Sequence, residues 1–95
     1  MHRVTHTVKQ KTKLVQRVRR ITGQLQAVER ALDAGQSCAD VLQLIAAARG
    51  ALNGLMSQVL EDHIRLHVAD PATDRNRDRA LGSEELIDVV RSYFK

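Results

Sequence analysis

One cysteine and two histidines stand out because their spacing would let them bind a metal ion. His63 and His67 are four residues apart, so on a helix both rings lie on one face, which is a common chelating arrangement. Cys38 precedes His63 by 25 positions, about 37 Å along a continuous helix, so one chain cannot bring all three to one metal ion. Two antiparallel copies of the helix can, because the start of one then lies beside the end of the other.

His6 fits the same predicted site. If the first helix folds back on the second with a turn near residue 35, His6 lies beside the histidine pair of its own chain. The predicted ligand set is then His6, His63 and His67 of one chain with Cys38 of another. One thiolate with three imidazoles suits Ni(II), Co(II) or Zn(II), whereas copper(I) usually recruits a second sulfur ligand. Taken one at a time, these residues need no metal: a lone cysteine is usually a small buried side chain, and a histidine can be incidental. Their joint placement is what favours a metal site.

Catalytic motifs are absent from the sequence. It contains no nucleophile elbow and no Gly-rich loop that would hold a phosphate, and a Cys38–histidine pair would lack an orienting third group. We therefore expect neither an enzyme nor a small-molecule substrate. No run approaches the 18 apolar residues of a membrane span and the first residues lack a signal-peptide core, so we expect a cytoplasmic protein in which the lone thiol stays reduced.

Positive charge is concentrated at the start of the chain. Residues 1–30 contain eight Lys and Arg against a single Glu, although the whole chain carries a net charge of only +4. Lys13, Arg17, Arg20 and Gln24 follow one another at spacings of 4, 3 and 4, which predicts a line along an exposed helix flank that suits the phosphates of double-stranded DNA. A solvated charged face or a membrane surface would give the same composition. The chain's two aromatic residues exclude a protein that stacks nucleic-acid bases on aromatic side chains.

The apolar pattern predicts an all-α fold in a single domain over residues 1–95. Gly35 and Ser37 are expected to cap the ends of two long helices, the second of which should reach about residue 68, before Asp70-Pro71. Residues 69–82 are expected to form a loop, with Ser83 as the N-cap of a short third helix. The two long helices carry apolar residues at heptad spacing: Leu14, Val18, Ile21, Leu25, Val28 and Leu32 in the first, and Val41, Ile45, Ala48, Leu52, Leu55 and Val59 in the second.

These two stripes leave more apolar surface than a helical hairpin can bury. Small residues fill the middle of the second helix, over 46–54, and would let two helices approach closely. We therefore expect an oligomer in which second helices cross near Gly50 and Ala51, the same point that the Cys38–histidine pairing requires. The alternative is a monomeric bundle in which the small residues form a packing notch.

The chain resembles the CsoR/RcnR family of bacterial metal- and formaldehyde-responsive repressors in three segments: 17–24 (RVRRITGQ), 38–56 (CADVLQLIAAARGALNGLM) and 61–67 (EDHIRLH). The resemblance implies a three-helix protomer, an antiparallel hairpin with a short C-terminal helix, in a disc-like homotetramer made of two dimers. It also implies a repressor that binds operator DNA without its effector and releases it when the effector binds. The family's DNA-binding arginines correspond to Arg17, Arg20 and Arg49, although Arg49 is alternatively a structural residue near the dimer axis.

The effector class follows from the same resemblance. Nickel and cobalt sensors of the family have an N-terminal histidine followed by Cys-His-His, which matches His6, Cys38, His63 and His67. Copper(I) sensors have cysteine in the last position, and formaldehyde sensors pair an N-terminal proline with the cysteine, whereas position 2 here is histidine. The resemblance thus implies a Ni(II)- or Co(II)-responsive repressor of a metal efflux gene. The alternatives are a formaldehyde-responsive repressor acting through Cys38 and an architectural DNA-binding protein without an effector.

Overall fold

The computed structural model describes residues 8–94, and these form helices connected by short loops. Helix α1 spans Val8–Asp33 and α2 spans Cys38–His63; a π-helical turn follows over Ile64–Val68, and α3 spans Arg77–Tyr93. The described part is elongated, with extents of 57 × 27 × 21 Å; the α1–α2 hairpin, of 26 residues in each helix, accounts for about 39 Å of the long dimension. Residues 8–94 contain no strand and no helix long and apolar enough to cross a membrane. The predicted all-α class with three helices is confirmed.

The turn between α1 and α2 forms as its sequence predicts. Gly35 has a φ of 66°, a left-handed conformation that glycine adopts without steric cost, and it ends α1. The Ser37 hydroxyl accepts a hydrogen bond from the Asp40 backbone N–H at 3.1 Å, which satisfies one of the unpaired donors at the start of α2. The tight turn makes the two helices antiparallel.

The hairpin buries only part of each heptad stripe. Ile21 and Ala31 of α1 and Val41 and Ala48 of α2 are buried between the helices. The remaining apolar side chains face away from this core because each helix carries more apolar residues than one neighbour can cover. Those left exposed on the two helices are Val15, Val18, Leu25, Leu32, Leu42, Ile45, Leu52, Met56, Val59 and Leu60.

The second helix reaches Val68 as expected, but its last turn is π-helical. The Ala69 backbone N–H donates to the Ile64 carbonyl oxygen at 3.0 Å, five residues back, and Ala69 then becomes extended. Ile64 and Ala69 are both buried, so this wide turn is held on each side by packing. Short π-helical turns often occur at functional sites.

Helix α3 begins earlier than predicted. Its N-cap is Asn76, whose side-chain oxygen accepts from the Arg79 backbone N–H at 3.1 Å, so the loop covers only residues 69–76. Ser83 is 4% exposed and lies inside the helix; its prediction as N-cap is wrong. An asparagine at the N-cap satisfies the helix donors as well as a serine does, and residues 77–82 contain no proline to prevent the helix from starting at Arg77.

Candidate metal site and cationic groove

Cys38 and the histidine pair lie at opposite ends of α2. Cys38 is the first residue of the helix and its thiol-bearing side chain is exposed. His63 is the last residue of the helix, and His67 lies in the π-helical turn; both are exposed. Their ring centroids are 4.3 Å apart with a tilt of 31° between the planes. The structure therefore brings the two predicted imidazoles together, but not the cysteine. His6 lies outside the described residues.

A single chain does not assemble the predicted ligand set. Among residues 8–94 no group of three or more His, Cys, Asp or Glu side chains is placed to hold a metal ion. That Cys38 reaches the histidine pair of another copy of the chain stays a prediction. The donor types present, an exposed thiol and two adjacent imidazoles, match the ligand preference of Ni(II), Co(II) and Zn(II).

The helix face that carries these residues is apolar and exposed. Helix periodicity places Cys38 and His63 on one side of α2 together with Leu42, Leu52 and Met56, all of which are exposed. Contiguous exposed apolar surface of this kind is typical of a protein–protein contact. The thiol and the imidazoles thus flank a surface suited to another helix.

Ion pairs connect the histidine segment to α3. The Glu61 carboxylate accepts a 2.7 Å hydrogen bond from Arg91 Nε, and Arg65 Nε lies 3.5 Å from its other oxygen. Arg65 also donates to Asp70 Oδ1 at 3.1 Å. The Glu61 hydrogen bond raises the pKa of the Arg91 guanidinium above its ordinary value. These contacts hold the π-helical turn between the end of α2 and the last turns of α3.

Three of the predicted DNA-binding residues lie along one groove between α1 and α2. Lys13 and Arg17 line one cavity, and Arg17 and Arg20 line the next, whose α2 side consists of Gly50, Ala51 and Gly54. A β-carbon built on Gly54 would lie 3.5 Å from Arg17 Nη1. Because Gly54 has no side chain, the space beside the guanidinium stays open. We call this surface, defined by Lys13, Arg17 and Arg20, the cationic groove.

This placement changes the interpretation of the small residues of α2. Ala48 is buried in the hairpin, and Ala51 and Gly54 lie beside α1 residues of the same chain. Part of the small-residue segment therefore lies at the contact within the chain, while Ala46 and Gly50 are exposed. A crossing of two α2 helices near Gly50 stays a prediction.

In the single chain, Arg49 lies outside the cationic groove, and Gln24 is not exposed. Arg49 lies beside Leu42, Ile45, Ala46, Gly50 and Asn53 on a separate groove of about 410 Å³, on the apolar side of α2. Gln24 is half-buried, and its Oε1 is buried without a hydrogen-bond partner in the described structure. Its line with the three cations was predicted to be exposed, but the Gln24 end of that line is partly buried.

The sequence prediction missed a buried carboxylate. Asp62 is 5% exposed and its Oδ1 accepts a 2.9 Å hydrogen bond from Gln58 Nε2. A signal was present: Asp62 follows Val41, Ala48 and Leu55 at intervals of seven, and Val41 and Ala48 are buried, while Leu55 is half-buried, on the side that faces α1. A charged residue in an otherwise apolar register marks a position that must find polar partners.

The comparisons with known proteins agree on a type of regulator. Residues 10–92 match the family model described as "metal-sensitive transcriptional repressor". An uncharacterised protein encoded in the bioA 5′ region of Serratia marcescens is 53% identical over 93 residues, which cover 97% of this chain and all of that protein. The transcriptional repressor RcnR of Citrobacter koseri is 40% identical over 92 residues, again covering 97% of this chain and all of that one.

A solved structure shares the fold. It is a variant of the formaldehyde-responsive regulator FrmR from Salmonella enterica serovar Typhimurium, in which one glutamate is replaced by histidine. The sequences are 43% identical, and the match covers 94% of this chain and 99% of that one with a TM-score of 0.67. Sequence and structure thus lead to the same kind of protein.

Proposed function

Because this chain belongs to the CsoR/RcnR family of metal-sensitive transcriptional repressors, which are regulators and not enzymes, we propose that it represses transcription until Ni(II) or Co(II) binds. It occupies operator DNA in the metal-free state and leaves it when metal occupies His6, His63 and His67 of one chain and Cys38 of another. Zn(II) is a further metal that this ligand set accommodates. The regulated gene is proposed to encode metal efflux, and the protein to act in the cytoplasm.

The observation that carries the metal proposal is the exposed face of α2. It has a thiol at one end, two imidazoles 4.3 Å apart at the other, and apolar residues between them. An antiparallel second copy would cover those apolar residues and move its own Cys38 next to the histidine pair. This incomplete half-site supports a dimer that completes it. The proposed tetramer of two such dimers rests on the family resemblance.

DNA binding is assigned to the cationic groove. Lys13, Arg17 and Arg20 lie on one flank of the hairpin, and the exposed apolar face of α2 lies on a different flank, so a dimer formed through α2 would leave the groove accessible. Since no helix-turn-helix motif is evident in the sequence, binding would rest on contacts with phosphates and on DNA shape. Arg49, on the apolar side of α2, is proposed as a further DNA contact, with a structural role near the dimer axis as the alternative.

A second candidate is a formaldehyde-responsive repressor that uses Cys38 as a nucleophile. The exposed thiol and the structural similarity to a formaldehyde-responsive regulator favour it. In that case formaldehyde would add covalently to the Cys38 sulfur, and the histidine pair would have no direct part.

The test is a DNA-binding titration. Metal-free protein is bound to DNA from upstream of its own gene, and Ni(II), Co(II), Zn(II), Cu(I) and formaldehyde are added separately. We expect Ni(II) or Co(II) to release the DNA at stoichiometric amounts, and mass spectrometry to show no covalent adduct. Release by formaldehyde with a mass increase at Cys38, and no release by metal, would replace the metal proposal with the second candidate.

A further inference from the structure

The π-helical turn at the end of α2 is held on both sides by contacts between arginines and carboxylates. Arg65, inside the turn, lies 3.5 Å from Glu61 Oε2 on the preceding side and donates to Asp70 Oδ1 at 3.1 Å on the following side. Asp70 Oδ1 also accepts from the Ala72 backbone N–H at 2.9 Å. Arg91 Nε of α3 donates to Glu61 Oε1 at 2.7 Å. Each Glu61 oxygen therefore faces a guanidinium, one from the turn and one from α3.

The turn needs such support because its backbone geometry is uncommon. π-helical hydrogen bonds are rare in proteins and occur mostly in single turns. The Ala69 backbone N–H donates to the Ile64 carbonyl oxygen, whereas in a regular α-helix it would donate to that of Arg65. Because a π-helical turn contains more residues than an α-helical one, that change would rotate His67 about the helix axis relative to His63. The position of the second imidazole thus depends on what holds the turn.

We infer that Arg91 is a positioning residue for the proposed metal site: by holding Glu61, it keeps the π-helical turn in the geometry that places His67 beside His63. The inference rests on the proposed function, since it concerns the same pair of imidazoles. Ligands that are held in place before binding lose less conformational freedom when the metal binds, and outer groups that orient ligands commonly affect metal affinity. Helix α3, which contributes no ligand to the proposed set, therefore helps to determine the affinity for metal.

Burial and sharing distinguish this contact from an ordinary surface ion pair. Isolated exposed pairs contribute little to stability, and the Arg91 side chain is 57% exposed. The Glu61 side chain, however, is only 12% exposed and is shared by two guanidinium groups. Asp88, three residues earlier on α3, attracts the same Arg91 guanidinium. A network of several charges is the case in which ion pairs have a measurable effect.

The experiment titrates Co(II) into the metal-free full chain and follows the thiolate-to-metal charge-transfer absorption. Arg91→Gln keeps a polar side chain but removes the guanidinium. We expect its Co(II) affinity to fall at least about threefold, less than for the loss of a ligand itself. Simple electrostatics predicts the opposite sign, because removing a positive charge favours the binding of a cation. Arg77→Gln, which removes the same charge from the exposed first residue of α3, is the control and should not weaken binding.

Two further measurements separate positioning from a general loss of structure. In a His67→Ala background, Arg91→Gln should weaken Co(II) binding no further, because the imidazole that it positions is gone. In metal-free protein, hydrogen exchange of the Ala69 amide, which closes the π-helical turn, should be faster in Arg91→Gln than in Arg77→Gln. Arg91→Lys, which keeps a charged donor for Glu61, should restore most of the affinity and of the protection from exchange.

An Arg91→Gln protein that is helical by circular dichroism but binds Co(II) as tightly as the wild type, or tighter, would overturn the inference. An equal loss of affinity in the His67→Ala background would also overturn it. If Arg91→Gln does not fold, Arg91→Met, which keeps an apolar stem, carries the same expectation. Failure of the proposed function is distinguishable: wild-type protein would then show no Co(II)-dependent thiolate absorption, which removes the metal site and the positioning role together. Wild-type binding with an unchanged Arg91→Gln variant removes only the role of Arg91.

Discussion

Cys38 and His63 occupy the first and last positions of α2, and both are exposed. Residue type and helix period alone place the thiol and the imidazoles on one face of α2, so this part of the site could be predicted from the sequence. The π-helical turn that contains His67 could not, because the sequence contains no local signal for it. The role of His6 stays a prediction, since it lies outside the described residues.

At the residue scale, His67 separates the two effector classes. His67→Ala removes one of two adjacent imidazoles. We therefore expect release of DNA to need a Ni(II) or Co(II) concentration at least about tenfold higher than for the wild type, since losing a group that supports metal binding commonly lowers the affinity by about that factor. Formaldehyde chemistry at Cys38 needs no second imidazole, and a formaldehyde sensor would keep its full response. The measurement is DNA release followed by anisotropy.

Cys38→Ala is the matching variant. It should abolish the metal response and the thiolate-to-metal charge-transfer absorption while leaving metal-free DNA binding intact, because Cys38 lies far from the cationic groove along α2. A His67→Ala protein with an undiminished metal response, together with wild-type protein that shows no such absorption, would exclude the proposed ligand set.

At the scale of elements, the end of α1 and the start of α2 followed from local sequence, whereas the start of α3 did not. Gly35 and Ser37 lie between the two heptad stripes, where glycine favours a left-handed helix end and serine favours an N-cap, so the hairpin was predictable. The third helix offers two competent caps, Asn76 and Ser83. The choice is made by tertiary contacts, since Ser83 is buried and Arg91 pairs with Glu61 of α2. Such contacts are invisible in the sequence around the cap.

The stability of the N-terminal end of α3 should depend on pH because of the Asp74 carboxylate. Its carboxylate accepts from Arg79 Nη2 at 2.9 Å and from the Asn76 backbone N–H at 2.9 Å, and the bond from Arg79 is the main reason that its pKa lies below the ordinary value of 3.8. A pKa lowered by folding means that the ionised carboxylate stabilises the folded protein. That contribution is complete above the ordinary value and is lost as the pH falls below it.

Asp74→Asn should therefore lower the Tm by the same small amount at pH 7 and pH 5, and the difference from the wild type should shrink below pH 3.8. The measurement is thermal unfolding followed by circular dichroism. Asn76→Ala is the control. It removes an uncharged cap worth about 1 kcal/mol, so its Tm should stay below that of the wild type at low pH. If Asp74→Asn lowers the Tm equally at pH 7 and pH 3, the ion pair between Asp74 and Arg79 does not stabilise the helix.

At the scale of the whole molecule, one hairpin presents two different surfaces. The cationic groove uses the flank where α1 arginines meet the small residues of α2, and the exposed apolar residues of α2 lie on another flank. Heptad spacing predicted that apolar surface would remain after the hairpin formed, and the exposure of Leu52 and Met56 confirms it. The location of the small residues was not predictable in the same way, because glycine and alanine fit equally well in a contact within one chain and in a contact between two.

Assembly through the apolar face of α2 is the condition on which the metal site depends, and Leu52→Glu tests it. Leu52 is 45% exposed in the single chain, so a charge there should leave the hairpin folded but strongly oppose burial against a second helix. We expect light scattering to show a tetramer for the wild type and mainly monomer for the variant, which should also lose metal-induced thiolate absorption because Cys38 no longer reaches another chain's histidines. Gln43→Glu, on the opposite side of α2, should change neither. A Leu52→Glu protein that stays tetrameric with its metal site intact would move the interface to another face of the hairpin.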